Sequence, residues 1–206
     1  MKGFDQRYWR EQYAEPATID GIGNVRDHSR YVSAFFNLEG VEVRSLIDLG
    51  FGLGHLLREM RRTFKPRLVH GIEPSEYAFK KLRLPGARLW QQDLLDWARD
   101  EKKERIYDLA LCNSVLQYLS EKELKEVLPV LARRSRFLYL TVPTDVEYQR
   151  QKCELDFVDP WAKVRTREQY LKLLRPHFSF LSTRILESKV HFNEQTTPFQ
   201  DLLFRF

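Results

Sequence analysis

The stretch that decides the fold of this chain is Leu46-Ile47-Asp48-Leu49-Gly50-Phe51-Gly52-Leu53-Gly54. The apolar run before Gly50 predicts a buried strand, and the glycines predict a tight turn that opens a helix. Glycine lets the backbone of such a turn approach a ligand closely, because no Cβ intervenes. In open α/β sheets ligands bind beyond the carboxyl ends of the strands, where this turn would lie.

Outward from this stretch, short apolar runs alternate with segments of helical period, which is typical of a parallel sheet flanked by helices. We therefore predict an α/β fold: a single Rossmann-like, doubly wound domain with a seven-stranded, mostly parallel sheet and an antiparallel C-terminal edge strand. The strands are predicted at residues 45–49, 68–72, 87–90, 107–112 and 137–142, with a final hairpin formed by 178–190 and 202–206.

Residues 1–43 differ from the alternating part and predict helices, one of them over residues 28–38, that form a lid or cap. The α/β domain then covers residues 44–206. Within it, residues 145–165 interrupt the alternation, and a connection of that length is typical of a lid or binding loop. Ser75 is a predicted helix N-cap, and the pairs Ser120/Glu123 and Thr166/Gln169 are predicted capping boxes.

The charge of the glycine turn distinguishes two kinds of nucleotide ligand. Dinucleotide-binding turns have the spacing G-x-G-x-x-G and hold a pyrophosphate, whereas this turn has G-x-G-x-G. Asp48 lies two residues before the first glycine, and its carboxylate would repel a pyrophosphate. The same carboxylate suits the ammonium and sulfonium of S-adenosylmethionine, which we therefore predict as the cofactor.

Polar residues follow the next three predicted strands. Glu73 could accept hydrogen bonds from both hydroxyls of a ribose, as acidic residues do at this point in NAD enzymes. Asp93 could accept a hydrogen bond from an adenine amino group, or it could simply cap a helix. Asn113 and Ser114 would face the crevice, although a polar turn capping a short helix explains them equally well.

Together these motifs resemble the class I S-adenosylmethionine-dependent methyltransferase family, over residues 44–206. The resemblance implies that Asp48 and the backbone of the glycine turn bind the methionine part of the cofactor and that Glu73 binds the ribose. The implied cofactor-binding set is Asp48, Gly50, Phe51, Gly52, Gly54, Glu73, Pro74, Asp93, Leu94, Asn113 and Ser114. The segment from Tyr8 to Tyr13 is similar to one that small-molecule members place over the cofactor.

The sequence identifies no catalytic residue. It lacks the N/D/S-P-P-aromatic motif of amino-base methyltransferases and the paired-glutamate loop of protein arginine methyltransferases, and Cys112 is better explained by packing. Aligning the acceptor with an activated methyl group does much of the work, so a general base is not required. Possible bases are His28, Tyr118 and His191, and a structural role is the better interpretation of each. Possible acceptor-site residues are Tyr8, Trp9, Tyr13 and Tyr118, and Tyr148, Phe157 and Trp161 could join them.

The composition limits the kinds of partner that we expect this chain to bind. The net charge is +5, but the basic clusters lie near predicted helix ends, where solvated helix faces explain them, so we do not expect a nucleic-acid partner. No apolar run is long enough for a membrane span, and no signal peptide or metal motif is recognised, which favours a cytoplasmic enzyme with a small-molecule acceptor. The alternatives left open are methylation of a protein or nucleic acid, an NAD-dependent oxidoreductase, and a non-catalytic cofactor-binding protein.

Overall fold

A computed structural model describes residues 4–12, 23–100, 105–154 and 157–206 of the chain. Its sheet has seven strands: β1 (Ser45–Leu49), β2 (Leu68–Ile72), β3 (Arg88–Trp90), β4 (Tyr107–Asn113), β5 (Ser135–Thr141), β6 (Phe178–Phe180) and β7 (Ile185–Ser188). The order across the sheet is β3-β2-β1-β4-β5-β7-β6. The first five strands are parallel, and β7 runs antiparallel to both β5 and β6. The predicted fold class is confirmed.

The helices are α1 (Gln6–Gln12), α2 (Val25–Leu38), α3 (His55–Phe64), α4 (Glu76–Lys81), α5 (Leu94–Arg99), α6 (Glu121–Arg134), α7 (Asp145–Glu154) and α8 (Arg167–Leu174). Short 3-10 helices cover Leu116–Tyr118 and Leu202–Phe204. The predicted Ser75 N-cap and both predicted capping boxes are present. Among the described residues, no helix combines the length and the apolar character that crossing a membrane requires.

Both faces of the sheet are buried, which explains why its central strands are apolar almost throughout. Side chains alternate across a strand, so Ile47 and Leu49 pack in one core and Leu46 packs in the other. The first core lies under α5, α6 and α8, and the second lies under α2 and α3. This doubly covered sheet fixes the positions of its strand ends, at the edge where α/β sheets generally bind ligands.

The C-terminal edge differs from the prediction. The hairpin forms entirely within the first apolar run, because a turn at Ser182 folds β7 back on β6, and a strand over residues 202–206 was the wrong expectation. A 3-10 helix begins at Leu202 instead. Only Phe206 pairs with the edge strand: its carbonyl accepts from the Phe180 amide at 2.7 Å, and their rings stack.

The connection between β5 and α8 is hydrogen-bonded to the turn after β4. Helix α7, within this connection, buries no residue. At the end of the connection, the Lys163 amide donates to the Gln117 carbonyl at 2.8 Å, and the Lys163 ammonium donates to the Tyr118 carbonyl at 2.6 Å. The Arg165 guanidinium also donates to the Leu119 carbonyl. The two segments therefore meet beyond the carboxyl ends of the central strands.

Candidate functional site

The glycine turn after β1 is fixed by backbone hydrogen bonds to β2. The amides of Gly50 and Phe51 both donate to the Ile72 carbonyl, at 2.8 and 3.1 Å. Gly50 and Gly52 have φ values of 98° and 53°, a region that disfavours other residues. A Cβ on Gly50 would also lie 2.7 Å from a methyl carbon of Val115. The turn after β4 therefore packs directly against the glycine turn.

Glu73 connects the end of β2 to this turn. Its carboxylate accepts from the Gly52 amide at 2.8 Å and from the Ser75 amide at 2.9 Å, and the residue is only 4% exposed. Burial raises the pKa of Glu73 to about 7, and the two backbone hydrogen bonds oppose that rise. Each oxygen accepts one of these bonds and retains a further lone pair, so the carboxylate can still accept from ligand hydroxyls.

Asp48 is a buried carboxylate with an incomplete environment. It is 2% exposed, and none of the residues that the structure describes donates a hydrogen bond to it. Burial, with a smaller contribution from the charge of Glu73, raises the pKa of Asp48 to about 8. Retaining an unpaired acid here costs folding free energy, and a cationic ligand would supply the missing partner. The site thus suits a ligand with an ammonium group.

Helix α1 covers the glycine turn. A Cβ on Gly52 would lie 3.0 Å from the Trp9 indole, so the ring rests directly on this glycine. The indole N–H donates to the Ser75 hydroxyl at 2.8 Å, and that hydroxyl donates to the Phe4 carbonyl at 2.6 Å. The Trp9 side chain of α1 therefore lies against the glycine turn and the N-cap of α4.

A second set of contacts joins α1 to the connection after β5. The hydroxyls of Tyr8 and Tyr118 are 3.3 Å apart, and Tyr118 donates to a carboxylate oxygen of Asp159 at 2.6 Å. Asp159 is 5% exposed, and its other oxygen accepts from the Trp161 amide at 3.0 Å. Tyr13, predicted with this group, lies outside the described residues.

The remaining predicted cofactor residues lie around the same strand ends. Asp93 caps α5 by accepting from the Asp96 amide at 2.8 Å, and Leu94 is buried in the core beside it. Pro74 is half-buried next to Glu73. The Phe51 side chain packs in the core. Of Phe51, only the backbone belongs to the turn.

Asn113 and Ser114 end β4 beside the last residue of β5. The Asn113 side-chain oxygen accepts from the Thr141 hydroxyl, and the Ser114 amide donates to the Thr141 carbonyl at 2.9 Å. Ser114 has a φ of 55°, which is uncommon for a residue with a side chain. Such strain often marks a functional turn.

Two polar groups of the site had no recognisable sequence signal. The Gln117 side-chain oxygen is buried and has no hydrogen-bond partner among the described residues. Asp159 is brought to Tyr118 from 41 residues away along the chain. Neither feature follows from local periodicity, because both depend on how the connection after β5 lies against the turn after β4.

The other candidate bases and the cysteine have structural surroundings. His28 is buried between Tyr139 and Arg184, and His191 contacts the Arg133 carbonyl at 2.9 Å. Cys112 is fully buried, and burial raises the pKa of its thiol. A thiol that stays protonated is a poor nucleophile.

Comparisons with known proteins find a methyltransferase domain model and several similar folds. Residues 47–136 match the family model of the methyltransferase domain. No curated protein sequence matches the chain significantly. A similar solved structure is the plantazolicin methyltransferase BpumL in complex with SAH, with 15% identity and a TM-score of 0.63 over 83% of this chain and 70% of that chain.

Two further solved structures are similar. An S-adenosylmethionine-dependent methyltransferase from Clostridium acetobutylicum has 12% identity and a TM-score of 0.65, over 88% of this chain and 96% of that chain. The N-methyltransferase NodS from Bradyrhizobium japonicum has 13% identity and a TM-score of 0.57, over 80% and 97% of the two chains. At these identities the likeness shows the shared fold.

Proposed function

We propose that this chain is a class I S-adenosylmethionine-dependent methyltransferase that transfers a methyl group to an O, N or C atom of a small-molecule acceptor. The main support for this proposal is the environment of Asp48. Its carboxyl is buried beside a glycine turn and has no hydrogen-bond partner among the described residues. The ammonium of the cofactor would complete that environment, and the ribose hydroxyls would bind Glu73.

When bound, the cofactor supplies a methyl group already activated on a sulfonium. The chain then has to hold that group, orient the acceptor and exclude water. Trp9 and α1 cover Gly52, which supports a cap over the cofactor for the α1 part of residues 1–43, whereas α2 packs beside α3 over the sheet. Residues 145–165 would form the opposite wall, since Asp159 and Lys163 bond to the turn after β4.

The buried Asp48 carboxyl also argues against a dinucleotide as the ligand of the glycine turn. A pyrophosphate at the glycine turn would lie beside the buried Asp48 carboxyl, disfavour its ionisation and offer it no cationic partner. An NAD-dependent oxidoreductase is therefore disfavoured.

Methylation of a nucleic acid is also not favoured, because many surface cations already have acidic neighbours. Lys125 pairs with Glu121 at 2.6 Å, and Arg62 pairs with Glu59 at 2.6 Å. These pairs support the interpretation that the basic clusters are solvated helix faces.

Calorimetric titration with S-adenosylmethionine and with NADH tests the cofactor assignment. We expect S-adenosylmethionine to bind, Glu73→Gln to weaken binding by about 1–3 kcal/mol, and NADH to remain unbound. Asp108→Asn is the matched control, because Asp108 contacts Ser45 at the opposite end of the sheet. Equal binding by Glu73→Gln and the unaltered protein would contradict the site assignment.

Release of S-adenosylhomocysteine, measured against a panel of metabolites, tests turnover. We expect release only with particular small molecules. Release with RNA or peptide pools, and with no metabolite, would assign a macromolecular acceptor instead. Tight cofactor binding with no release from any pool would favour the non-catalytic alternative.

A further inference from the structure

A large cavity opens beyond the carboxyl end of β5, on the side of β4 away from the glycine turn. Its volume is about 930 Å³. Its walls come from the end of β5, the helices α7 and α8, and the hairpin of β6 and β7. A pocket of this size encloses a drug-sized molecule. None of the aromatic residues predicted for an acceptor site lines it.

The cavity begins beside the site of methyl transfer in the proposed function. Ser114 and Thr141 both line it, and both belong to the strand ends that adjoin the cofactor crevice. A molecule in the cavity could therefore direct one end toward the cofactor and extend away along the sheet.

The walls of the cavity are mostly apolar. They include two aromatic rings at the sheet edge, Phe180 and Phe206, which stack with their centroids 5.7 Å apart. Backbone bonds between these two residues hold the C-terminus against β6. Tyr31 donates to Ser182 at 2.6 Å and joins α2 to the hairpin turn. The other apolar lining residues are Leu140, Val142, Pro143, Leu171, Leu174, Leu181 and Leu186.

The charges of the lining favour an anion. Arg167 and Arg184 are cationic, and Glu147 is the one acidic residue of the lining. The Glu147 carboxylate already accepts from the Thr144 amide at 2.7 Å, at the start of α7. Arg184 is held by contacts with Tyr139 and His28.

Of these charged residues, Arg167 is the best placed to bind an anionic ligand. It is the first residue of α8, where the helix dipole disfavours a cation. Within the described part of the chain it has no ion pair and no hydrogen bond. Arg167 is exposed and lines the cavity, so its guanidinium is accessible to an anionic ligand that enters there.

We propose that this cavity binds the methyl acceptor, and that the acceptor has an apolar, ring-sized body carrying an anionic group that binds Arg167. The assignment of the cavity to the acceptor rests on the proposed function. The chemistry of the ligand rests on the lining alone.

Two fluorescent probes with nearly the same ring skeleton test the ligand chemistry. Anilinonaphthalenesulfonate carries an anionic sulfonate, and N-phenylnaphthylamine lacks it. We expect both probes to bind, the anionic one more tightly, and Arg167→Gln to weaken only the anionic probe, by about tenfold. Lys172→Gln is the matched control, because it removes the same charge from an exposed position of α8 outside the cavity lining.

Tryptophan substitutions that fill the cavity test whether the probes bind inside it. Leu171→Trp should abolish binding of both probes, and Thr183→Trp does the same from the hairpin wall should the first variant fail to fold. Equal affinity of the two probes, an equal loss in Lys172→Gln, or full binding by both folded tryptophan variants would overturn the proposal.

Cofactor titration of the same variants separates this inference from the proposed function. Arg167→Gln should bind S-adenosylmethionine normally, because the residue lies outside the cofactor crevice. Normal cofactor binding with no probe binding would refute the acceptor cavity and leave the proposed function standing. Probe binding without cofactor binding would refute the assignment of the cavity to an acceptor.

Discussion

Binding of S-adenosylmethionine should release a proton from Asp48, and Asp48→Asn should abolish that release. The pKa of the buried carboxyl is about 8, so roughly nine-tenths of it is protonated at pH 7. An ammonium placed against it favours the ionised form. The unaltered protein should therefore release about 0.9 proton from this residue on binding at pH 7.

The affinity follows from the same linkage. Ionising Asp48 costs about 1.4 kcal/mol for each pH unit below its pKa. Affinity should accordingly rise close to tenfold per pH unit from pH 6 to pH 7.5 through this residue alone. Glu73, with its pKa of about 7, adds a second, smaller release. Asp48→Asn retains the shape of the side chain and the contribution of Glu73, so it isolates the proton of Asp48.

Calorimetry in buffers of different ionisation enthalpy counts the protons. We expect Asp48→Asn to release about one proton fewer at pH 7 and to bind about ten- to a hundredfold more weakly at pH 7.5, where the carboxylate is more readily available. The two affinities should converge toward pH 6. Asp108→Asn should behave like the unaltered protein. An unchanged proton count in Asp48→Asn would refute the reasoning.

Four further results are expected. Asp48→Asn should raise the melting temperature more at pH 8 than at pH 4, because a raised carboxyl pKa makes folding less favourable as the pH rises from 3.8 toward 8; equal melting shifts at both pH values would count against this. Gln117→Met should stabilise the fold by about 1 kcal/mol in chemical denaturation, since it removes an orphaned buried oxygen, and a loss of stability would show that the oxygen has a partner. Tyr118→Phe should leave the fold intact but speed proteolysis of residues 145–165, because it removes the bond to Asp159; an unchanged cleavage rate would argue against that bond. Gly52→Ala should cost about 1 kcal/mol or more of stability and weaken cofactor binding, since its φ is 53° and Trp9 lies on it, and unaltered calorimetry would contradict the close packing.

Local sequence patterns were sufficient to predict the elements that position the proposed cofactor site. The strands at 45–49 and 68–72 have the predicted bounds, because both are apolar runs ended by a glycine turn or a proline. The helix caps at Ser75, Ser120 and Thr166 follow from side-chain hydrogen bonds within three residues. Asp48 and Glu73 lie near each other, since neighbouring parallel strands end at one edge.

The C-terminal part shows where local patterns failed. The apolar run from Phe178 to Val190 has no glycine or proline, and the turn inside it is closed by Ser182 and by pairing with β5. Residues 202–206 are apolar enough for a strand, but the edge of the sheet accepts only Phe206. Which strands pair depends on residues far apart in the chain, so a local apolar run does not specify the pairing.

The sequence by itself determined the sheet, the glycine turn and the acidic residues at the ends of two strands, because periodicity, turn chemistry and charge act over a few neighbouring residues. Only the tertiary structure decided that Trp9 rests on Gly52, that Asp159 meets Tyr118, and that a cavity rimmed by Arg167 lies beyond β5. These contacts join segments far apart in the chain, so they depend on how packed helices and strand ends meet in space, which no local pattern encodes.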